Sequence, residues 1–166
     1  MARPTPDPSQ LTTRAAVTAG LLMLGRRELS SRQLADRLRR KGFPHEVIEA
    51  ALASLRESGA LNDARAASAR ARHDVTIHRH GRSRVLRQVR ALGVSEETAR
   101  YAVGAAFSEV SEDQMLASAL ARKLRGAEPP TDPKAVRRLQ GWLLRQGFEP
   151  DRVQRLMRRK FRIEDD

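Results

Sequence analysis

The chain has 166 residues, enough for one compact domain or a string of small units that bury about 70 % of the unfolded surface, so no disulfide or metal staple is required. It contains no Cys, which excludes thiol nucleophiles, zinc knuckles, thiolate-held clusters and disulfide scaffolds together and makes a reducing cytoplasm its natural home. Its 32 Lys and Arg against 20 Asp and Glu give a net charge of +12, which points to an acidic partner such as nucleic acid or an acidic protein groove.

Residues 1–11, rich in Pro, read as a disordered tail. Ala15 to Leu24 imitates a signal peptide, but Gly25-Arg26-Arg27 follows it instead of a small-residue cleavage site, and the run is too short to cross a bilayer. It is one face of a helix over about 13–26. Ser30 with Gln33 forms a capping box that opens a second helix, which ends at Gly42. A third follows Pro44. Asn62 or Asp63 caps a fourth over about 63–77, whose stretch Ala64 to Ala71 offers only Ala as apolar side chains. Burying these gains far less than the roughly 1.5–3 kcal/mol of a buried Leu or Phe. The fifth helix ends at Gly93, the sixth starts after Ser95, and the seventh covers about 112–125. Residues 126–134, with Pro129, Pro130 and Pro133, make a rigid turn, and Asp132-Pro133 opens the eighth helix. That helix ends at Gly147, the ninth begins at Glu149-Pro150, and 164–166 is an acidic end. Val and Ile number 13 against 24 Ala and 19 Leu, and apolar residues recur at three- and four-residue steps, so the fold class is all-α.

The helices repeat in threes. Gly42, Gly93 and Gly147 are spaced by 51 and 54 residues, and each follows a basic amphipathic stretch and precedes Phe43, Val94 or Phe148. If each Gly is a left-handed helix end, the residue after it folds back on Leu38, Val89 or Leu143, all apolar. Leu34, Val85 and Leu139 continue the stripe upstream. Beyond the turn, Ile48, Ala99 and Val153, then Ala51, Ala102 and Leu156, then Leu52, Val103 and Met157 supply the facing stripe. Glu46, Glu97 and Asp151 sit in first turns, where an anion complements the helix dipole. The repeats cover 12–61, 62–111 and 112–163, and each third of the chain carries a net +4, so an elongated cationic surface is expected to meet an elongated partner.

Dense cationic spots lie within that spread. Val75 to Ser95 holds no acid but contains Arg79, Arg82, Arg84, Arg87 and Arg90, and on a helical wheel Arg84, Arg87 and Arg90 lie opposite Val85, Val89 and Leu92, facing solvent or a partner. Arg37, Arg39, Arg40 and Lys41 crowd the equivalent helix of the first repeat, and Arg152, Arg155, Arg158, Arg159, Lys160 and Arg162 the last helix.

A helix-turn-helix DNA reader would place the second helix of each pair in the major groove. Residues 45–57 hold Arg56 against Glu46, Glu49 and Glu57, and the equivalent helix of the second repeat holds Arg100 against Glu96 and Glu97, the wrong sign for that task. Most aromatics fall on apolar stripes, leaving no platform for stacked bases, so any DNA contact is through phosphates and salt dependent. His73, His78 and His80 lack regular metal-ligand spacing and read as a surface or connector group. No phosphate loop, triad order or two-metal carboxylate pair occurs, so neither a catalytic constellation nor a cofactor site is expected.

Taken in order, Gly25-Arg26-Arg27-Glu28-Leu29-Ser30, Leu34 and Leu38, Arg40-Lys41-Gly42-Phe43, Leu55, Gly59-Ala60-Leu61-Asn62-Asp63, Ala67, Arg72, Gly81, Arg84-Val85, Val89 and Leu92-Gly93-Val94 resemble the RecX family, regulators of the RecA recombinase. The resemblance covers roughly Thr13 to Phe161. It departs at Ala66, where the family usually has an aromatic, and at Asn62, where it usually has Asp. It implies three tandem three-helix repeats in an elongated, curved array, and a non-enzymatic protein that binds RecA and its filament on single-stranded DNA. There it would limit filament growth, ATP turnover and strand exchange. The contact residues expected for that role, toward RecA or nucleic acid, are Arg37, Arg40, Lys41, Arg72, Arg82, Arg84, Arg87 and Arg90, with Arg155 and Arg159 after them, because a guanidinium fork pairs bidentately with carboxylate or phosphate. A cytoplasmic monomer without cofactor is expected; an autonomous helix-turn-helix DNA-binding protein is the alternative.

Overall fold

A computed structural model describes residues 12–127 and 130–161, and every regular element among them is a helix. These are α1 (Thr13–Leu24), α2 (Ser31–Arg40), α3 (His45–Glu57), α4 (Asp63–Thr76), α5 (Arg82–Arg90), α6 (Glu96–Phe107), α7 (Glu112–Leu124), α8 (Pro133–Arg145) and α9 (Pro150–Phe161). The expected tails at 1–11 and 164–166, Arg162, and positions 128–129 of the Pro-rich turn lie outside the described residues.

Side-chain caps fix most helix starts. Thr12 Oγ1 accepts from the Ala15 N–H at 3.2 Å. Ser30 Oγ accepts from Gln33 N at 3.2 Å while Gln33 Oε1 accepts from Ser30 N at 3.3 Å, completing the capping box. Of the two candidates before α4, Asn62 is the cap, its Oδ1 accepting from Arg65 N at 2.9 Å. Asp63 does something else: its Oδ1 accepts from Ser31 N at 2.6 Å, setting a carboxylate on the first turn of α2. Asp132 takes the N–H groups of Lys134 and Ala135 at 3.2 and 3.0 Å.

The three expected glycine turns form. Gly42, Gly93 and Gly147 have φ of 91°, 78° and 94°, a region where a Cβ is strained. At the first, Gly42 N donates to Arg39 O at 2.9 Å and Phe43 N to Leu38 O at 3.3 Å, the paired bonds of a Schellman ending. Gly93 N to Arg90 O and Gly147 N to Leu144 O, both 2.9 Å, match the first of these.

The described residues gather into two compact units: those up to Ala69 with Arg90–Ala99, and Arg70–Val89 with those from Arg100 onward. In the first, Leu29, Leu34, Leu38, Ile48, Leu52 and Leu55 form the core, with Ala16 and Ala51 where α1 and α3 approach. At Gly20 a Cβ would stand 2.7 Å from Leu55 Cδ1. Ser30 has a second task here, donating through Oγ to Leu92 O at 2.6 Å, and the Arg32 side chain lies over Gly93. The start of α2 therefore meets the turn that ends α5.

The second unit builds its core from Leu116, Leu120, Leu139, Leu143, Phe148, Val153 and Met157. The same joint recurs within it. Gly81 N donates to Gln146 O at 2.9 Å, and Ser83 donates to Gly147 O through both its N–H, at 3.1 Å, and its hydroxyl, at 3.0 Å. Thus the start of α5 meets the turn that ends α8. On α4 the Ala-rich face is indeed the buried one: Ala66, Ala67 and Ala71 are all at most 4 % exposed, and Val75 and Asp74 continue it.

Candidate cationic docking surface

The cations at the end of α2 are placed by helix chemistry, since basic side chains in a last turn complement the dipole. Arg40 and Lys41 are exposed, and Arg37 is half-buried. Burial pushes the Arg37 guanidinium below its ordinary pKa, and the neighbouring Arg27 and Arg40 push it the same way. Arg39 bonds to Asp36 at 2.6 Å. Among the described residues no carboxylate pairs with Arg37, Arg40 or Lys41.

The arginines of α5 are less free than their local sequence suggests. Arg82 sends Nε and Nη2 to one carboxylate oxygen of Glu112, at 3.0 and 2.9 Å, and its guanidinium lies 4.6 Å from the Phe107 ring centroid. Arg84 was expected to face solvent with Arg87 and Arg90. Instead it is half-buried, its Nη1 donating to Gln146 Oε1 at 3.0 Å and its Cβ pressed against Gly147. Arg90 is exposed but chelates Glu96, with Nε to Oε2 at 2.7 Å and a second bond from Nη2 to Oε1. That bond raises the Arg90 pKa. The acid-free run of sequence is therefore supplied with acids from outside it. Arg87 alone of this group is exposed and without a partner among the described residues.

Arg72 on α4 is exposed. Arg155 and Arg159, one turn apart on α9, are exposed and line a cleft of about 270 Å³ with Asp113, Leu116, Arg152 and Leu156. Arg152 is engaged by Asp113 at 2.7 Å and Glu149 at 3.5 Å, whereas no acid pairs with Arg155 or Arg159 among the described residues. The structure thus brings Arg155 and Arg159 together, sets Arg37 and Lys41 on another cavity, and commits Arg82, Arg84 and Arg90 to internal contacts. Arg26 and Arg27 share the cavity of Arg37, and Tyr101 on α6 is 76 % exposed, positions outside the contact residues expected from the sequence. The Arg pair's position beside an apolar helix face was the available signal.

The histidines cluster, His73 edge-on to His78 and His78 stacked on His80. His73 and His78 are exposed and His80 is buried, with ring centroids 4.8 Å apart for the first two and 5.2 Å for the last two. His80 Nδ1 lies 3.3 Å from Gln88 Oε1. Burial, then Arg84, depresses the His80 pKa, opposed by Gln88 and Asp74. The unfolded chain takes up this proton near pH 6.5 and the folded chain only at lower pH, so the unfolded state binds more protons in between. Stability is expected to fall as pH drops through about 6.5 toward the folded value. Urea midpoints of wild type and His80→Gln measured at pH about 7.5 and about 5.5 check this, with a smaller acid loss expected in the variant.

Among the described residues no helix is long and apolar enough to cross a membrane. Two family models match the chain, one for the first three-helix domain of RecX over residues 16–55 and one for its third three-helix domain over 111–163. A regulatory protein RecX from Thermobifida fusca (strain YX) is 32% identical over 157 residues, covering 95% of this chain and 84% of the relative. Another from Syntrophotalea carbinolica is 32% identical over 134 residues, covering 80% and 88%. The crystal structure of RecX from Lactobacillus salivarius superposes with a TM-score of 0.75 at 14% identity, over 91% of this chain and 97% of that one, a likeness of fold.

Proposed function

The chain belongs to the RecX family of regulatory proteins, and from that premise we propose that it is a non-enzymatic, cytoplasmic modulator of the RecA recombinase. It engages the RecA filament on single-stranded DNA and limits filament growth, ATP turnover and strand exchange. It acts as a monomer of three three-helix repeats, 12–61, 62–111 and 112–163, without a cofactor.

The observation that carries this reading is a set of exposed cations left without acids. Arg40 and Lys41 lie in the first unit, and Arg72, Arg87, Arg155 and Arg159 in the second; none has a carboxylate partner among the described residues. Cations spread through both units suit a partner that presents carboxylates or phosphates repeatedly. Arg82, Arg84 and Arg90 support the same surface as positioning residues, because their head groups are tied to Glu112, Gln146 and, for the exposed Arg90, Glu96.

The direct test is RecA ATP turnover on single-stranded DNA with substoichiometric amounts of this protein. Turnover is expected to fall; no effect at any ratio would sink the proposal. The triple variant Arg87→Glu/Arg155→Glu/Arg159→Glu exchanges exposed side chains only and is expected to keep its circular dichroism and melting temperature while inhibiting at least about tenfold more weakly. Sequence preference on naked duplex DNA that survives physiological salt would favour the helix-turn-helix alternative.

A further inference from the structure

The ends of α1 and α2 bring together cations that no acid answers. Arg26 and Arg27 follow α1, Arg37 and Lys41 close α2, and the four rim a cavity of about 440 Å³ in the first unit. Its apolar lining is Ala19, Leu22 and Met23. Leu22 is 68 % exposed, although it lines the same cavity as these cations. Among the described residues no carboxylate pairs with any of the four cations. The charged groups that act on Arg37, namely Arg27 and Arg40, repel it.

The dipole of α2 explains why Arg37 and Lys41 sit in and just after its last turn. It does not explain Arg26 and Arg27, which follow a different helix, or an exposed leucine on the same cavity. An anion at the rim would relieve the repulsion, and phosphate and carboxylate are the two candidates. A nucleic-acid backbone offers the apolar lining only the oxygen-flanked CH groups of its sugars, and no aromatic side chain lines the cavity to stack a base. A peptide that carries Asp or Glu around an apolar side chain answers both the cations and the apolar lining.

We propose that the cavity between α1 and α2 docks an acidic peptide segment of a protein partner, with an apolar side chain seated on Leu22 and Met23 and carboxylates held by Arg26, Arg27, Arg37 and Lys41. This rests on the docking surface proposed above and narrows it, assigning the α2 end to protein rather than nucleic acid.

Fluorescence anisotropy with the full chain tests it. The probes are a short peptide of Asp and Glu around one Leu, the same peptide with Ser for Leu, and a single-stranded oligonucleotide. The Leu peptide is expected to bind at least about fivefold tighter than the Ser peptide, the scale of burying one or two methylene-sized groups. Leu22→Ser should erase that difference and leave oligonucleotide binding unchanged. Arg27→Glu/Lys41→Glu should weaken the Leu peptide at least about tenfold. Both variants exchange exposed side chains, and circular dichroism verifies that they fold. Equal binding of the two peptides overturns the proposal, as does oligonucleotide binding that depends on Leu22. It falls equally if the peptides bind only once residues 162–166 are removed, since the chain's own acidic end is then the occupant. RecA turnover reads the broader function separately: peptide binding without inhibition defeats that reading and keeps this one, and inhibition without peptide binding does the reverse.

Discussion

Gly81→Ala is expected to destabilise the protein by about 3 kcal/mol or more, a large share of the stability of a small domain. A Cβ at Gly81 would stand 2.3 Å from the Gly147 carbonyl carbon, 2.4 Å from its oxygen and 2.4 Å from Phe148 N. All three are backbone atoms, so no rotamer change relieves the clash. The two segments must separate, which breaks the bond from Gly81 N to Gln146 O and both bonds from Ser83 to Gly147 O, each worth about 1 kcal/mol. Gly59→Ala is the control. Gly59 has φ of 71° but nothing within 4 Å of its would-be Cβ, so only the left-handed strain of roughly 1–2 kcal/mol applies. Urea denaturation of the two variants separates steric contact from backbone strain; equal losses would show that the close approach of 81 and 147 carries no weight.

Arg70→Ala is expected to cost roughly 2–4 kcal/mol, much more than an ordinary truncation of a surface arginine. The Asp74 carboxylate is fully buried, and its Oδ2 accepts from Arg70 Nε at 2.6 Å. Its other oxygen, Oδ1, has no hydrogen-bond partner among the described residues. Removing the guanidinium leaves a buried charge without its counter-ion. The cost stays toward the lower half of the range for buried pairs because Arg70 itself is 40% exposed and partly screened by water. This half of α4 has little else to hold it, since Ala71 and Val75 are its buried apolar residues. Adding Asp74→Leu to Arg70→Ala removes the stranded charge and is expected to recover at least about half of the loss. A double-mutant cycle by chemical denaturation measures it; no recovery would mean that Asp74 is not what makes Arg70 matter.

The helices, their caps and the glycine turns were legible in the sequence because each is set within a few residues. Leu34 and Leu38, Val85 and Val89, and Leu139 and Leu143 all land in buried stripes as their spacing required. The charged face of α5 was harder to read. A helical wheel shows which side of a helix is apolar, but says nothing of what its first turn will touch, and Arg84 meets Gln146 from 62 residues away. Glu112 reaches Arg82 and Glu96 reaches Arg90 from other helices, so an acid-free run of sequence is not an acid-free surface. Asp74 could have been found: it lies three residues after Ala71 and seven after Ala67, on the buried stripe itself. Gly81 could not, because its reason is a backbone that arrives from residues 146–148.

The joint that recurs at the start of α2 and the start of α5 bears on how such a chain can lengthen. Every helix leaves donors bare at its beginning and acceptors bare at its end, and these are normally covered by water or by dedicated caps. At the second joint two such deficits cancel, Gln146 O and Gly147 O being taken by the N–H groups of Gly81 and Ser83; at the first, the Ser30 hydroxyl takes Leu92 O. Each further middle helix that joins in this way brings one new beginning and one new end and hides one of each. The number of bare middle-helix ends therefore grows more slowly than the number of copies, which eases lengthening by duplication.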